Sequence, residues 1–542
     1  MADTPLRVAL IGAGNRASTV YAPVLPHLGQ WLDLVAVCDP VEEHSDRLAA
    51  ELGARPFSSI FEMLDAEVAE AALVVTPVPS HHSLSSLLSE RGIHHNVETS
   101  MAATIGQGRE MLARAEEGGV VMRIGENFFR YPFDRMMKAV SHSGVIGEVR
   151  RIICMYDHTG FHNDSRWVYF HEAHPTSARA ISHTMPVAPY DFMPHRHYES
   201  EGFRSHFYEF PGDRFVVDLA ANIKGCLGRH ARPGYTEVAG ARGTIVQTAV
   251  QPWSEWNGES EVRVCSDAAL ADGGKADIVA PIVEDSDEET WRRSYVELDG
   301  QTIEYVNPLP LVTSRPRKFY GAAVGSHIVD FVQAVWRHRG SKEAAAQLAA
   351  QGYEYTGEDA LMAMQMTQAC HESELRGGEQ IPLPLAEDMD LRSEQEALDR
   401  MRREYDRDPM DVEAMLAVSL NATTDAQRDR LMPRVNRKYP LTALMESLHA
   451  FPMARRRWLT VEYVLLAGEN DTDEDAKRLV DLVADLRCKV NLIPYNPTGS
   501  YAYGTPPNPT SETPSSTVTD VTTSSTYTSV TTETYDDMTT YT

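Results

Sequence analysis

The feature that most constrains this chain is an apolar run that breaks into a glycine turn, VALIGAGNRA at residues 8–17. The run predicts a buried strand, and Gly12 permits the tight turn that follows it. Gly14 would let backbone N–H groups approach a pyrophosphate, and the small Ala17 would let the next helix pack against the strand. That helix would direct its N-terminus at the anion. The pattern favours a dinucleotide-binding unit of an open α/β sheet over an ordinary buried strand with a glycine turn.

A second apolar strand at residues 35–39 ends in an acid, Asp39. An acid at the end of this strand can bind a ribose 2′-OH, so the turn, the small third residue and the acid agree with one another. Asp39 has no arginine beside it, which favours NAD over NADP, although Arg16 could reach a phosphate. The expected cofactor is therefore NAD or NADP, with NAD preferred.

Charge and cysteine spacing exclude several classes of protein. The 542 residues carry a formal net charge of −28, which disfavours a nucleic acid partner. No apolar run approaches the roughly 18 residues that a membrane span needs, and no signal sequence is evident, so we expect a cytoplasmic protein without a membrane partner. The six cysteines lie far apart, which predicts reduced thiols, no metal site and no iron–sulfur cluster.

Strands and helices alternate after the glycine loop. Apolar strands are predicted at residues 73–77, 94–98 and 120–124, with a helix at 106–117 between the last two. This succession predicts a parallel sheet with right-handed crossovers. Longer strands with turns at 211–213 and 240–243 then predict a sheet rich in antiparallel pairs.

Several motifs spread over residues 6–386 together resemble one family. They are VALIGAGNRA, VVTPVPSHH, the strand that ends in Glu98-Thr99-Ser100, GENFFRYP, IGEVRRI, AGARGTI and the helix that begins at Glu358-Asp359-Ala360. In these motifs the chain resembles the glucose–fructose oxidoreductase, inositol dehydrogenase and MocA-like oxidoreductases. The resemblance implies a fold of the α/β class, hydride transfer between a nicotinamide and a sugar or cyclic polyol, and a homo-oligomer formed through the second-domain sheet.

The resemblance also implies domain bounds and site residues. The expected parts are a Rossmann domain at 1–124, an α+β domain with a large open sheet at 125–386, a helical linker at 387–415, a further segment at 416–497 and a disordered Thr/Ser-rich tail at 498–542. The expected cofactor-binding residues are Gly12, Gly14, Asn15, Arg16, Asp39, Thr76, Pro77, His81, Glu98 and Thr99.

One position departs from the family pattern. Thr99 stands where the family's Glu-Lys-Pro motif has its lysine. A lysine would supply a cation and a proton donor beside the reacting hydroxyl, and threonine supplies no cation. A catalytically impaired, dinucleotide-binding sensor or scaffold is therefore the alternative to an active oxidoreductase.

Histidines are dense between His158 and His206, where eight occur. The segment DHTGFH loosely matches the family's D-x-G-x-H signature, so His162 is the candidate acid or base and Asp157 its orienting partner. The alternative interpretation is that His162 is an ordinary polar histidine in a loop. Glu126 and Arg130 follow the last Rossmann strand and are candidate substrate contacts. His195, His197 and Glu199 would share one strand face, but a solvated strand is favoured there over a metal site.

The C-terminal part resembles a different family. Residues 416–497, with AVSLNA, NRKYPL, VEYVLL and CKVNLIPYNP, resemble the later half of the radical-SAM ribosomal-RNA adenine methyltransferases. That resemblance implies S-adenosylmethionine contacts at Ser419, Asn421 and Asn496. A close cysteine triplet for the cluster does not occur in this sequence. We therefore expect a barrel fragment that is an inactive relic, with residues 455–457 on a solvated helix edge rather than on RNA.

Overall fold

The computed structural model describes residues 4–156, 160–193, 196–221, 232–251, 260–266, 280–281, 283–286, 290–298, 300–309, 318–405, 417–450, 459–486 and 488–494. They fall into two compact units, one up to residue 405 and one from residue 417. Asp157, His158, His195, Asn496, residues 455–457 and the tail lie outside the described residues. None of the helices in the described part combines the length and apolar composition needed to span a lipid bilayer.

The first unit begins with a parallel sheet, as the sequence predicts, and this sheet has six strands where the sequence pattern indicates five. Its elements are β1 (Leu6–Ile11), β2 (Leu32–Cys38), α1 (Glu42–Leu52), β3 (Arg55–Phe57), α2 (Ile60–Asp65), β4 (Ala71–Val74), α3 (His81–Glu90), β5 (His94–Val97), α4 (Ile105–Glu117) and β6 (Met122–Ile124). The strand order is β3-β2-β1-β4-β5-β6, and every pair is parallel. The central strands are buried almost throughout, which explains their continuous apolar sequence.

The segment after β1 differs from the expected regular helix. A π-helical turn at Ala17–Tyr21 is followed by a 3₁₀ turn at Leu25–Leu28. Pro23 and Pro26 lack backbone N–H groups, so a long helical hydrogen-bond ladder cannot continue through this segment. The helical segment after the loop is therefore short, and it begins at Asn15, directly behind Gly14.

A second, nine-stranded sheet follows. Its strands are β7 (Val149–Tyr156), β8 (Ser177–Met193), β9 (Arg196–Phe210), β10 (Arg214–Ala221), β11 (Arg232–Gly240), β12 (Gly243–Gln251), β13 (Ser260–Ser266), β14 (Ala280–Pro281) and, later in the chain, β18 (Ile381–Pro382). Its order is β14-β13-β12-β11-β7-β10-β9-β8-β18. Only β7 and β10 pair in parallel. Both predicted turns, 211–213 and 240–243, join neighbouring antiparallel strands.

Helices cover one face of this sheet and also reach the Rossmann sheet. The remaining elements of the first unit are α5 (Pro132–His142), α6 (Phe161–His171), a small sheet of β15 (Val283–Ser286), β16 (Trp291–Leu298) and β17 (Gln301–Val306), and the helices α7 (Lys318–His338), α8 (Lys342–Ala350), α9 (Gly357–Leu375) and α10 (Arg392–Tyr405). The apolar residues Ile328, Phe331 and Val332 of α7 lie in one core with β1. In α10, Glu394 accepts a hydrogen bond from the Ile105 N–H, so this part of the expected linker packs on the first unit.

The second unit is a small α/β fragment. It contains β19 (Ala417–Ser419), α11 (Asp425–Leu431), α12 (Pro433–Lys438), α13 (Leu441–Ala450), β20 (Leu459–Leu465), α14 (Asp473–Val483) and β21 (Cys488–Pro494). Its three strands are parallel in the order β19-β20-β21. Val461 and Tyr463 of β20 pack with Leu479 of α14 in its core.

Candidate functional site

The glycine loop has the geometry that close approach to a backbone requires. Gly12 has φ +96°, and a Cβ at this position would lie 2.5 Å from the Val75 carbonyl oxygen. A side chain is therefore excluded by both backbone conformation and space. At Gly14 a Cβ would meet nothing within 4 Å, so this part of the loop opens onto unfilled space. These residues fit a pyrophosphate held by main-chain amides.

Asp39 ties the end of β2 to the glycine loop. One carboxylate oxygen accepts a hydrogen bond from the Ala13 N–H at 2.7 Å, and the other accepts from the Val41 N–H at 2.9 Å. The His44 Nδ1 atom lies 3.7 Å from the second oxygen. A carboxylate oxygen can accept more than one hydrogen bond, so Asp39 can still accept a hydrogen bond from a ribose hydroxyl.

Glu98 is held at the end of β5 by three donors. Its Oε1 atom accepts from the Arg16 Nε–H and the Tyr21 hydroxyl, each at 2.8 Å, and its Oε2 atom accepts from the Thr99 N–H at 3.0 Å. Burial alone would raise its pKa, but the Arg16 guanidinium overcomes that effect and lowers the pKa of Glu98 to about 2. The structure thus places Arg16, Glu98 and Thr99 together at the carboxyl edge of the sheet.

Hydrogen bonds within the turn after β4 stabilise its conformation. The Ser80 hydroxyl donates to Thr76 Oγ1 at 2.8 Å and to the Pro77 carbonyl oxygen at 2.7 Å. His81 is fully buried, with Nε2 2.7 Å from the Thr76 carbonyl oxygen and Nδ1 2.8 Å from that of Ser100. Its ring connects the turns after β4 and β5, so any part of His81 in cofactor binding would be indirect.

His162 meets a carboxylate that the sequence pattern did not pair with it. Its Nδ1 atom lies 2.9 Å from Glu126 Oε2 and 3.1 Å from Oε1. Glu126 is fully buried, and its Oε1 atom also accepts from the Phe128 N–H at 2.7 Å. The Phe128 ring stacks on the imidazole at a centroid distance of 4.3 Å. These contacts orient His162, the role that the sequence pattern assigned to Asp157.

Arg130 lies next to the His162–Glu126 pair and binds the backbone of Glu126. Its Nε–H donates to the Glu126 carbonyl oxygen at 3.0 Å, and its Nη1 donates to Ser326 Oγ at 3.1 Å and to Asp330. The guanidinium is almost entirely buried. Glu126 and Arg130, the two candidate substrate contacts, are thus both engaged in hydrogen bonds within the protein.

The remaining histidines are dispersed. His174 bonds to Asp359 at 2.9 Å, whereas His171 and His206 are buried beneath the sheet helices. His197 and Glu199 are exposed, 3.6 Å apart. Among the described residues, the histidines of this segment therefore do not form a single cluster.

Sequence reasoning missed a buried acidic network under α6. Asp164 accepts hydrogen bonds from the Tyr208 hydroxyl and from Thr367 Oγ1, each at 2.6 Å. Burial raises the pKa of Asp164 to about 7 and that of Asp218, which bonds to Asn163 and Trp167, to about 6. No sequence motif marks these acids, because the residues that surround them come from four separated elements.

The comparison with known families agrees with the resemblance stated above for the N-terminal part of the chain. Residues 6–126 match the Gfo/Idh/MocA model, described as an oxidoreductase family with an NAD-binding Rossmann fold. A crystal structure of an Agrobacterium radiobacter oxidoreductase, in complex with NAD⁺, L-tartaric acid and magnesium, shares 14% identity at a TM-score of 0.50 and covers 70% of this chain and 98% of its own. Levoglucosan dehydrogenase, in complex with NADH and levoglucosan, shares 15% identity at a TM-score of 0.50 and covers 70% and 100%. At these identities the two structures show a shared fold.

The C-terminal resemblance is likewise confirmed over a short segment. The dual-specificity RNA methyltransferase RlmN of Geobacter sulfurreducens is 57% identical over 93 residues, 17% of this chain and 26% of that protein. The chain thus spans about a quarter of the length of this curated relative.

Proposed function

We propose that the first unit is an NAD(P)-dependent oxidoreductase that transfers a hydride between nicotinamide and a CH–OH carbon of a sugar or cyclic polyol. The family match to residues 6–126 supports the cofactor class. The dehydrogenase fold shared with a protein that binds NADH and levoglucosan supports a carbohydrate-like substrate. The homology of the C-terminal segment covers too little of RlmN to support a methyltransferase function here.

The His162–Glu126 pair is the observation that carries this proposal. A carboxylate only accepts hydrogen bonds, so the proton of the neutral imidazole lies on Nδ1, next to Glu126. The lone pair is then on Nε2, where it can accept the proton of a substrate hydroxyl. Glu126 would stabilise the imidazolium that forms, since the charge develops beside a buried carboxylate. In the reverse direction the same nitrogen returns the proton to a carbonyl.

The cofactor would be held by the loop and edge residues described above. Gly12, Gly14 and Asn15 would bind the pyrophosphate through backbone amides, and Asp39 a ribose hydroxyl, which favours NAD. Glu98, Thr99, Thr76 and Pro77 border the carboxyl edge where the nicotinamide half would lie. The bound nicotinamide supplies the hydride acceptor or donor. Arg16 is paired with Glu98 at this edge, so a guanidinium stands close to Thr99, the position where the family has a lysine.

Thr99 is also the observation that favours a second function, a dinucleotide sensor or scaffold without turnover. A titration with NAD⁺ and NADP⁺, followed by an absorbance assay for reduced nicotinamide over a panel of sugars and polyols, distinguishes an active oxidoreductase from a sensor or scaffold. Binding with turnover supports the oxidoreductase. Binding without turnover on any substrate supports the sensor, and failure to bind either dinucleotide contradicts both.

We also propose that the open face of the nine-stranded sheet joins two copies of the chain. Met155, Ile181 and Phe203 are 42%, 49% and 38% exposed. The strand register places them on the same face, opposite the residues that pack under α9. An exposed apolar row on a broad sheet is typical of a protein interface, and a second copy offers a face of matching shape.

A further inference from the structure

A small, partly open cavity lies between β6, α5, α7 and residues 348–355, and its polar lining is mainly basic. Arg123, Arg130 and Arg135 line it, together with Asp330 and Glu354. The space available to the centre of a water-sized particle is about 20 Å³, so the cavity holds one water-sized or slightly larger particle. A sugar, a nucleotide or a phosphate ester does not fit this volume.

The charges around the cavity do not balance among the described residues. Asp330 forms an ion pair with Arg130, and Glu354 forms ion pairs with both Arg123 and Arg337. Three guanidinium groups thus line the cavity together with two carboxylates, and the partly exposed Arg337 lies outside its lining. His327, which also lines the cavity, adds no positive charge, because burial lowers its pKa to about 3.

Arg135 forms no ion pair with a carboxylate in the described part of the chain, although Asp330 lies close enough for its charge to offset part of the effect of burial on the pKa of Arg135. Arg135 is 4% exposed, and its hydrogen-bond acceptors in the described part of the chain are neutral, the Tyr169 hydroxyl at 3.3 Å and the Ser326 hydroxyl at 3.5 Å. Its Nε–H has no hydrogen-bond acceptor in the described part of the chain. Arg130 donates to the same Ser326 hydroxyl, so two cations converge on one oxygen.

Aromatic rings compensate only part of this buried charge. Phe129, Tyr169 and Tyr305 have ring centroids 5.9, 5.6 and 5.8 Å from the Arg135 guanidinium carbon. Contacts at such distances are weak compared with the cost of burying an unpaired ion. A water molecule would satisfy the Nε–H but would leave the excess charge in place.

We propose that this cavity binds a small monovalent anion, of the size of chloride, on the Nε–H of Arg135. The anion would supply the missing negative charge beside Arg135 and Arg130 and accept the hydrogen bond that no protein atom accepts. Arg130 also donates to the Glu126 carbonyl oxygen at 3.0 Å, so the anion site is one arginine away from the His162–Glu126 pair. The site would exist whether or not the chain catalyses hydride transfer.

Thermal unfolding of the full chain tests this site. In sodium chloride the Tm of the unsubstituted protein should exceed that in sodium gluconate of equal ionic strength by roughly 2–4 °C, because chloride binds the folded state. Arg135→Met, which removes the charge and keeps an unbranched side chain, should abolish the difference. Arg91→Met is the matched control, since Arg91 pairs with Asp65 on the surface, and it should retain the full difference. An equal chloride effect in the Arg135→Met variant would overturn the proposal.

Anomalous diffraction gives a second readout that needs no variant. Crystals of the unsubstituted protein grown in sodium bromide should show an anomalous peak in the cavity, in contact with Arg135 Nε. A cavity without an anomalous peak, or one filled by water alone, contradicts the proposal even if Arg135→Met does not fold.

Discussion

At the scale of single residues, the pairing of His162 with Glu126 turns one of many histidines into a candidate acid–base group. The hydrogen bond to a buried carboxylate and the stack on Phe128 leave the ring little rotational freedom. A second pairing at this scale, of Arg16 with Glu98, keeps a carboxylate ionised at the edge of the Rossmann sheet. Neither partnership follows from spacing along the chain.

Replacing His162 tests the first pairing. His162→Ala should lower kcat by about 10²–10⁴-fold on a substrate that the panel identifies, with the dissociation constant of the dinucleotide unchanged. Glu126→Gln keeps the shape but removes the charge, so it should also lower kcat and alter its pH profile. His183→Ala removes an exposed histidine of β8 and is the matched control. Near-normal turnover of His162→Ala would exclude the acid–base role.

Gly12 offers a test of the loop itself. Gly12→Ala should weaken dinucleotide binding by tenfold or more and lower stability, because a Cβ meets the Val75 carbonyl and φ +96° strains any side chain. Calorimetric titration with NAD⁺ measures the first effect and urea unfolding the second. Gly29→Ala, where φ is −58° and a Cβ meets nothing within 4 Å, should change neither. Unaltered affinity in Gly12→Ala would argue against this loop as the cofactor site.

At the scale of elements, α6 has two polar faces with different roles. His162 at its first turn contacts Glu126, whereas Asp164 two residues later points into the network with Tyr208 and Thr367. Asp218, His206, Cys370 and Glu374 surround the same network from β10, β9 and α9. The packing of α6 thus depends on buried groups whose protonation state determines the free-energy cost of their burial.

This network predicts a pH dependence of stability. Asp164 has a pKa of about 7 when folded and 3.8 as its ordinary value, so between about pH 4 and 7 the folded state holds a proton that the unfolded state has lost. The unfolding free energy should therefore fall as pH rises through this range. Asp218, with a pKa of about 6, acts in the same direction. His206, whose pKa is raised well above its usual value of 6.5, adds a further loss of stability only as pH rises above about 6.5.

Asp164→Asn isolates the contribution of one group. It should reduce the slope of unfolding free energy against pH by about one proton between pH 4 and 7, since asparagine resembles the protonated acid. Urea unfolding at a series of pH values measures the slope. Asp65→Asn, on an exposed helix end, is the control and should leave it unchanged. A slope that persists undiminished in Asp164→Asn would show that this carboxyl is ionised in the folded protein.

At the scale of the whole molecule, the first unit joins a parallel sheet and a broad mixed sheet through shared helices. The helix α7 contributes to the core of the first sheet although it lies some two hundred residues further along the chain. The mixed sheet leaves its other face open, and that face bears the proposed interface.

A charge on the open face tests the interface. Phe203→Glu should convert an oligomer of the full chain to monomers in sedimentation velocity, because a carboxylate there would be buried without a partner. Val306→Glu, at an apolar position that is 58% exposed on the small sheet, should leave the assembly intact. If the unsubstituted protein sediments as a monomer at all concentrations, the proposed interface is wrong.

Much of the fold could be predicted because it depends on local patterns. Apolar runs indicated most of the strands, and the glycine turn at Gly12 indicated an open parallel sheet of the dinucleotide-binding type, which the structure contains. The antiparallel hairpin at 211–213 likewise followed from alternation and turn residues. The glycine pattern does not predict the irregular turn after β1, because that turn depends on Pro23 and Pro26, which follow the glycine loop.

The sequence alone determined the parallel pairing of the first sheet and the position of the glycine loop, since these depend on periodicity and on residues close together in the chain. The candidacy of His162 came from the family resemblance. Only the tertiary structure decided that Glu126 orients His162, that Arg16 pairs with Glu98, and that Arg135 is buried without an ion pair among the described residues. Each of these depends on side chains that meet across large sequence separations. Their ionisation and their partners are set by burial, which spacing along a chain does not encode.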